Sequence, residues 1–208
     1  MALWVKICGL TDAAAVAAAM DAGADAIGFV FAESVRRIEP AEAAILARAV
    51  RGNCEIVAVM QHPGQTLVDE VCAVLRPDTV QTDASDFAGL SLPSGTARLP
   101  VYRDGTSLDG AITGKHRHRL LYEGVRSGSG ERADWGRARE LAGRFELILA
   151  GGLGGANVGS AIAAVRPAGV DVSSGVESAP GKKDTHKIHA FVAAARAAAT
   201  TGPGAAPS

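Results

Sequence analysis

Cysteine is scarce in this chain: three thiols in 208 residues, Cys8, Cys54 and Cys72, an odd number with no Cys-x-x-Cys pair. That argues against a disulfide framework or a thiolate zinc site and favours a reducing compartment. Aromatic residues make up only 4% of the composition, so a core must come from the Ala, Val, Leu and Ile that fill most of its 48% hydrophobic content. No apolar run reaches the roughly 18 residues of a membrane span, and the apolar start MALWVKICG is too short for a signal h-region with its cleavage site. Charge of one sign is also missing. With 21 basic and 22 acidic residues the net charge is −1, which gives neither nucleic acid nor an anionic membrane an electrostatic footprint. A cytoplasmic protein with a small-molecule partner, no nucleic acid and no membrane is expected.

What the chain does have is alternation. Apolar runs rich in Val, Ile and Leu recur at Leu3–Cys8, Ala26–Phe31, Ile56–Met60, Thr79–Gln81, Arg98–Val101, Arg119–Tyr122, Leu147–Ala150 and Gly169–Val172. Such runs read as parallel strands buried on both faces. Between them lie helical stretches at about residues 12–21, 40–50, 65–75, 135–142, 156–165 and 185–198, with weaker ones at Ser85–Leu90 and Ser107–Ile112. Eight βα units with right-handed crossovers close on themselves, whereas an open doubly wound sheet uses five or six strands. The fold class is therefore α/β, a single-domain (β/α)8 TIM barrel over residues 1–199, followed by a flexible tail, 200–208, of Gly, Pro, Ser and Ala.

In a barrel of this kind chemistry sits where the strands stop. The glycine-rich stretch AGGLGG (Ala150–Gly155) and the following Ser173-Ser174-Gly175 fall after adjacent strands seven and eight. Their backbone N–H groups suit a phosphate, with Gly151, Gly152, Ser173, Ser174 and Gly175 as candidates. Strand one ends in Cys8-Gly9 and strand six in Glu123, a candidate base and acid on opposite sides of the mouth. Lys6 would bring a positive field to Cys8 if the strand pleat is regular. Arg36 or Arg37 could grip a carboxylate, and Asp171 could bond substrate hydroxyls or orient its neighbours. Each of these has a plainer alternative, an inert buried thiol, a solvated carboxylate, solvated arginines. His62, in QHPG, reads as a turn residue, and no His or Cys stands at metal-ligand spacing. No metal and no cofactor is expected.

The stretches VKICGLT, DAIGFVFAESVRRIEP and ILAGGL…NV…RPAGVDVSSGVESAPGKKD resemble the phosphoribosylanthranilate isomerases, over about Val5 to Val192. The resemblance implies a (β/α)8 enzyme of tryptophan biosynthesis that carries out an Amadori rearrangement of a phosphorylated sugar–anthranilate substrate, without a cofactor. It places the base at Cys8, the acid at Glu123, the anthranilate carboxylate at Arg36, a substrate contact at Asp171 and the phosphate at Gly152, Ser173, Ser174 and Gly175. Three departures stand out: LLYE where the family has LLLD, VQTDA where it has VQLHG, and MQHPG at the end of strand three. Two other readings are an isomerase broadened to the histidine-pathway aminoaldose, against which Cys8 speaks, and a sugar-phosphate-binding barrel without turnover. A monomer or homodimer is expected.

Overall fold

Short runs of β-branched residues, apolar on every position, need helices on one face and packed side chains on the other. The computed structural model, which describes residues 2–105, 118–124 and 133–200, arranges them that way. Its strands are β1 (Trp4–Cys8), β2 (Ala26–Val30), β3 (Glu55–Val59), β4 (Thr79–Asp83), β5 (Ala97–Arg103), β6 (Arg119–Glu123), β7 (Glu146–Leu149) and β8 (Gly169–Val172). They form a closed barrel in chain order, each pair of neighbours parallel and β8 returning to β1. The helices are α1 (Ala13–Asp21), α2 (Pro40–Ala47), α3 (Gln65–Leu75), α4 (Trp135–Ala142), α5 (Val158–Val165) and α6 (Thr185–Thr200).

The helix starts follow from local chemistry. Asp12 accepts from the Ala15 N–H at 2.8 Å, and Asp134 from those of Gly136 and Arg137 at 2.8 and 3.1 Å, each satisfying otherwise orphaned first-turn donors. Pro40 opens α2, where its missing N–H costs nothing. Two expectations change. The weak helix at Ser85–Leu90 is a 3-10 turn, Ala84–Ala88, and a small hairpin, β9 (Glu177–Ala179) and β10 (Lys182–Lys183), follows β8 unannounced. The expected helix at Ser107–Ile112 lies outside the described residues, as does the tail beyond Thr200.

Strand alternation sorts the buried side chains into two cores. Outward-facing Val5, Ile7, Ile27, Phe29, Ile56, Leu147 and Val170 pack against the helices. Inward-facing Leu99, Val101, Leu121, Ile148 and Ala150 fill the barrel, with Trp4 against them. Towards the N-terminal mouth the filling turns polar. Glu55 takes hydrogen bonds from Trp4 Nε1 (3.1 Å), Thr79 Oγ1 (2.6 Å) and Arg119 Nη1 (3.1 Å to each oxygen), while the Arg119 guanidinium stacks 3.9 Å from the Trp4 ring. This polar plug fills the bottom of the barrel between the first residues of β1, β3, β4 and β6.

Gly169 shows how tightly the plug is fitted. A Cβ there would stand 2.7 Å from both Ile148 Cδ1 and the Trp4 carbonyl oxygen. The carbonyl belongs to the β1–β8 ladder and cannot retreat. Gly169→Ala is therefore expected to lower unfolding free energy by about 1–3 kcal/mol, read as a lower urea midpoint at unchanged slope. A wild-type midpoint would contradict the packing described.

Candidate active site

The polar layer above the apolar filling starts with Lys6, which alternation turns inward together with Cys8. Lys6 is fully buried. Its ammonium donates to Asp171 Oδ1 at 2.8 Å and to Gln81 Oε1 at 2.9 Å, with Cys8 as a third partner. Asp171 stands directly across the β1–β8 ladder from Lys6, so the pair is fixed by strand register. Gly28 stands across the other edge from Cys8. A Cβ at Gly28 would lie 3.0 Å from Lys6 Cε and 3.1 Å from Cys8 Sγ, so the bare backbone makes the room into which both side chains converge.

Gly9 explains why glycine follows the thiol. Its φ is +75°, and a Cβ would meet Arg36 Cδ at 2.7 Å and Ser173 Oγ at 3.1 Å. The turn out of β1 therefore brings the Arg36 stem and the β8 loop in beside Cys8. Burial pushes the Cys8 thiol above its ordinary value; the Lys6 charge pulls it back most strongly, Asp171 works with burial and Lys183 against it. Lys6 is desolvated too, but Asp171 and Cys8 more than compensate and hold it as a cation. The thiol is thus neutral at neutral pH with two ammonium groups nearby to receive its negative charge.

Arg36 and Arg37 separate cleanly. Arg37 pairs with exposed Glu39, whereas Arg36 turns inward and is gripped by Glu177, Nε to Oε1 at 2.6 Å and Nη2 to Oε2 at 3.0 Å. Glu177 also accepts from Lys183 Nζ at 2.7 Å and from the Gly181 N–H at 3.2 Å. Burial opposes its charge, but the bonds from Arg36 and Lys183 win and hold its carboxyl at about 2. Lys183 reaches on to the Ser173 carbonyl and Oγ at 3.0 and 3.2 Å. The β9–β10 hairpin so ties the arginine to the candidate phosphate loop. Neither Glu177 nor Lys183 was assigned from sequence, although both lie in the quoted SSGVESAPGKKD stretch.

The two glycine-rich turns pack on each other. A Cβ at Gly175 would fall 1.9 Å from the Leu153 carbonyl oxygen. Gly151 and Gly152 take φ of +86° and +63°, and Asn157 clips that turn by accepting from the Gly154 N–H (2.9 Å) and donating to the Gly152 carbonyl (2.8 Å). Gly152, Ser173 and Ser174 remain half-buried at the rim.

Across the mouth, Glu123 ends β6 with Oε1 3.2 Å from Arg103 Nε, and Arg103 also pairs with Asp83. The other nearby acids are committed elsewhere: Asp104 to the Tyr122 hydroxyl and the Asp134 N–H, Asp134 to the start of α4. Structure therefore gathers Cys8, Arg36, Asp171 and Ser173 on the β1–β2–β8 side and leaves Glu123 on the opposite strand with its own partner. His62 is not alone, since Asp83 and Asp86 flank it. Sequence spacing hides this cluster because His62 follows β3 whereas Asp83 ends β4 and Asp86 lies in the 3-10 turn after it.

Comparison with known proteins fits this geometry. The family model for N-(5'-phosphoribosyl)anthranilate (PRA) isomerase matches residues 5–194. A protein of that name from Roseiflexus sp. (strain RS-1) is 41% identical, covering 94% of this chain and 98% of its own. The crystal structure of phosphoribosyl anthranilate isomerase from Thermotoga maritima superposes with a TM-score of 0.82 at 29% identity, over 94% of this chain and 99% of that one. A second crystal structure of the isomerase, in complex with reduced 1-(o-carboxyphenylamino)-1-deoxyribulose 5-phosphate, gives 0.78 at 29% identity over the same shares. A full-length family match joined to a closed barrel with a thiol, a clamped arginine and paired glycine turns at its mouth makes this chain a member of the N-(5'-phosphoribosyl)anthranilate isomerase family.

Proposed function

We propose that this protein converts N-(5'-phosphoribosyl)anthranilate to 1-(2-carboxyphenylamino)-1-deoxyribulose 5-phosphate, the Amadori rearrangement of tryptophan biosynthesis. The observation that carries the proposal is the polar layer at the strand ends, in which a thiol, a buried ammonium and a carboxylate lie between an arginine clamp and two glycine-rich turns. The substrate has matching parts: an aryl carboxylate, a pentose and a 5'-phosphate.

The roles follow from chemistry. Glu123 supplies a proton to the furanose ring oxygen; the C1'–O bond breaks and the nitrogen lone pair forms the Schiff base. Cys8, as thiolate, takes the proton from C2'; the electron pair of that C–H bond forms C1'=C2' as the C1'=N pair returns to nitrogen, giving an enolamine. The enolamine then tautomerises to the ketone. Lys6 and Lys183 make the thiolate less costly by their charge. Arg36, aimed by Glu177, meets the aryl carboxylate as a bidentate donor, and the turns carrying Gly151, Gly152, Ser173, Ser174 and Gly175 meet the phosphate. Asp171, already bonded to Lys6, holds that cation under the thiol and faces the sugar hydroxyls.

Glu123 carries one methylene more than the family's aspartate, and its partner Arg103 is shared with Asp83, which occupies one of the positions where this sequence departs from its family. Glu123 is thus held at the rim by an ion pair that joins it to the β4 end.

Turnover is followed by the change in anthranilate fluorescence as substrate is consumed. Wild-type protein is expected to turn over, and Cys8→Ala to lower kcat by at least about 100-fold, within the range for a positioned base. Near-normal kcat in that variant would remove Cys8 from the role; phosphate-ligand binding with no turnover in the wild type would point to the binding barrel instead.

Glu123→Gln should likewise cost at least about 100-fold in kcat at little change in KM, and Glu123→Asp should recover only part of the rate because the shorter side chain withdraws the carboxyl from the ring oxygen. Full activity of the Gln variant would move the acid elsewhere.

A further inference from the structure

The isomerisation uses none of His62, Asp83 and Asp86, yet these come together where β3 and β4 open into the mouth. One ligand atom from each lies within 4.8 Å of the others. His62 Nε2 is 3.3 Å from Asp83 Oδ2, and His62 Nδ1 is 3.0 Å from Asp86 Oδ1. Metal–nitrogen and metal–oxygen bonds of about 2.0–2.2 Å put neighbouring ligands on a tetrahedron roughly 3.3 Å apart. The imidazole stands between the two carboxylates with one ring nitrogen toward each, and the three groups are close enough to share one ion.

Each carboxylate is anchored by the oxygen that faces away from the imidazole. Asp83 Oδ1 takes Arg103, and Asp86 Oδ2 takes the Thr82 hydroxyl at 2.6 Å and the His62 backbone N–H at 3.2 Å. Metal-bound carboxylates are held in this manner by outer hydrogen bonds. The remaining oxygens point inward. Asp83 is buried, 6% exposed, and its Oδ2 has no hydrogen-bond partner among the described residues although it faces the imidazole. A desolvated carboxylate oxygen left without a donor is costly, and a cation at this point would relieve it.

We propose that His62, Asp83 and Asp86 bind one divalent transition-metal ion of the zinc class. One imidazole and two carboxylates, with no thiolate, suit zinc, cobalt or nickel; an all-oxygen shell would have suited magnesium or calcium. One histidine gives one nitrogen, so the ring, exposed over most of its surface, rotates to present either Nδ1 or Nε2 to the ion. Cys8 and Arg36, on β1 and after β2, lie outside this group, and the ion has no step in the rearrangement.

The test titrates the full chain, freed of metal, with Zn2+ by calorimetry and with Co2+ by visible absorption. Saturable binding of one ion per chain is expected, without the thiolate-to-cobalt charge-transfer band. His62→Ala and Asp86→Asn should each weaken it by at least about tenfold, while the double replacement Cys54→Ser and Cys72→Ser leaves it unchanged. If Asp86→Asn does not fold, His62→Gln serves in its place, because that side chain is solvent-facing. Absence of saturable binding, equal binding by the His62 variants, or loss of binding with the cysteines would each overturn the proposal and leave His62 as a hydrogen-bonded turn residue.

Discussion

A lysine sealed inside the barrel sets the terms for everything at the mouth. Moving an ammonium out of water costs several kcal/mol even after relaxation, and Lys6 is tolerated because it donates to Asp171 and Gln81 with Cys8 beside it. That requirement fixes β1 against β8 through the facing Lys6–Asp171 pair and fixes it to β4 through Gln81. It also favours Gly28, since a Cβ there would crowd the lysine stem at 3.0 Å and the thiol at 3.1 Å. The same cation offsets part of the cost of a negative charge on the buried thiol, which burial alone would keep a small hydrophobe.

A second ionic group, Arg36–Glu177–Lys183, extends this order outward. Its members come from the loop after β2 and the hairpin after β8, which share no ladder. Charge and hydrogen bonding hold them in place of sheet register. Lys183 carries the link on to Ser173, so the arginine and the β8 turn proposed to meet the two ends of the substrate belong to one connected framework. Under that proposal, rigid placement of both ends would let groups on distant strands address the same pentose.

Much of the barrel was legible because parallel strands buried on both faces leave a dense apolar signature, and all eight strands fall within two residues of the runs read from sequence. The segment after β4 was less clear: Ser85–Leu90 lacks the apolar repeat of a helix, and a 3-10 turn results. That Cys8 and Lys6 share one strand face was readable from period-two alternation. Glu177 and Lys183 were not, since their meeting depends on a hairpin whose return is set by Gly181 at φ +79° and by Arg36 across the loop. His62 and Asp83 are 21 positions apart and meet only because adjacent strands end side by side. Contacts made through tertiary register leave no local pattern, whereas strand faces do.

The central claim is that the Lys6 charge holds the Cys8 thiol within reach of ionisation. Its most direct measure is the pH dependence of Cys8 alkylation by iodoacetamide, compared between wild type and Lys6→Met in a background with Cys54 and Cys72 replaced by serine. The lysine lowers the thiol's pKa and Asp171 raises it, so removing the ammonium and leaving the carboxylate unpaired must move the alkylation midpoint to higher pH. A midpoint at the wild-type pH, or below it, would show that the buried lysine does not govern the thiol and would contradict the account.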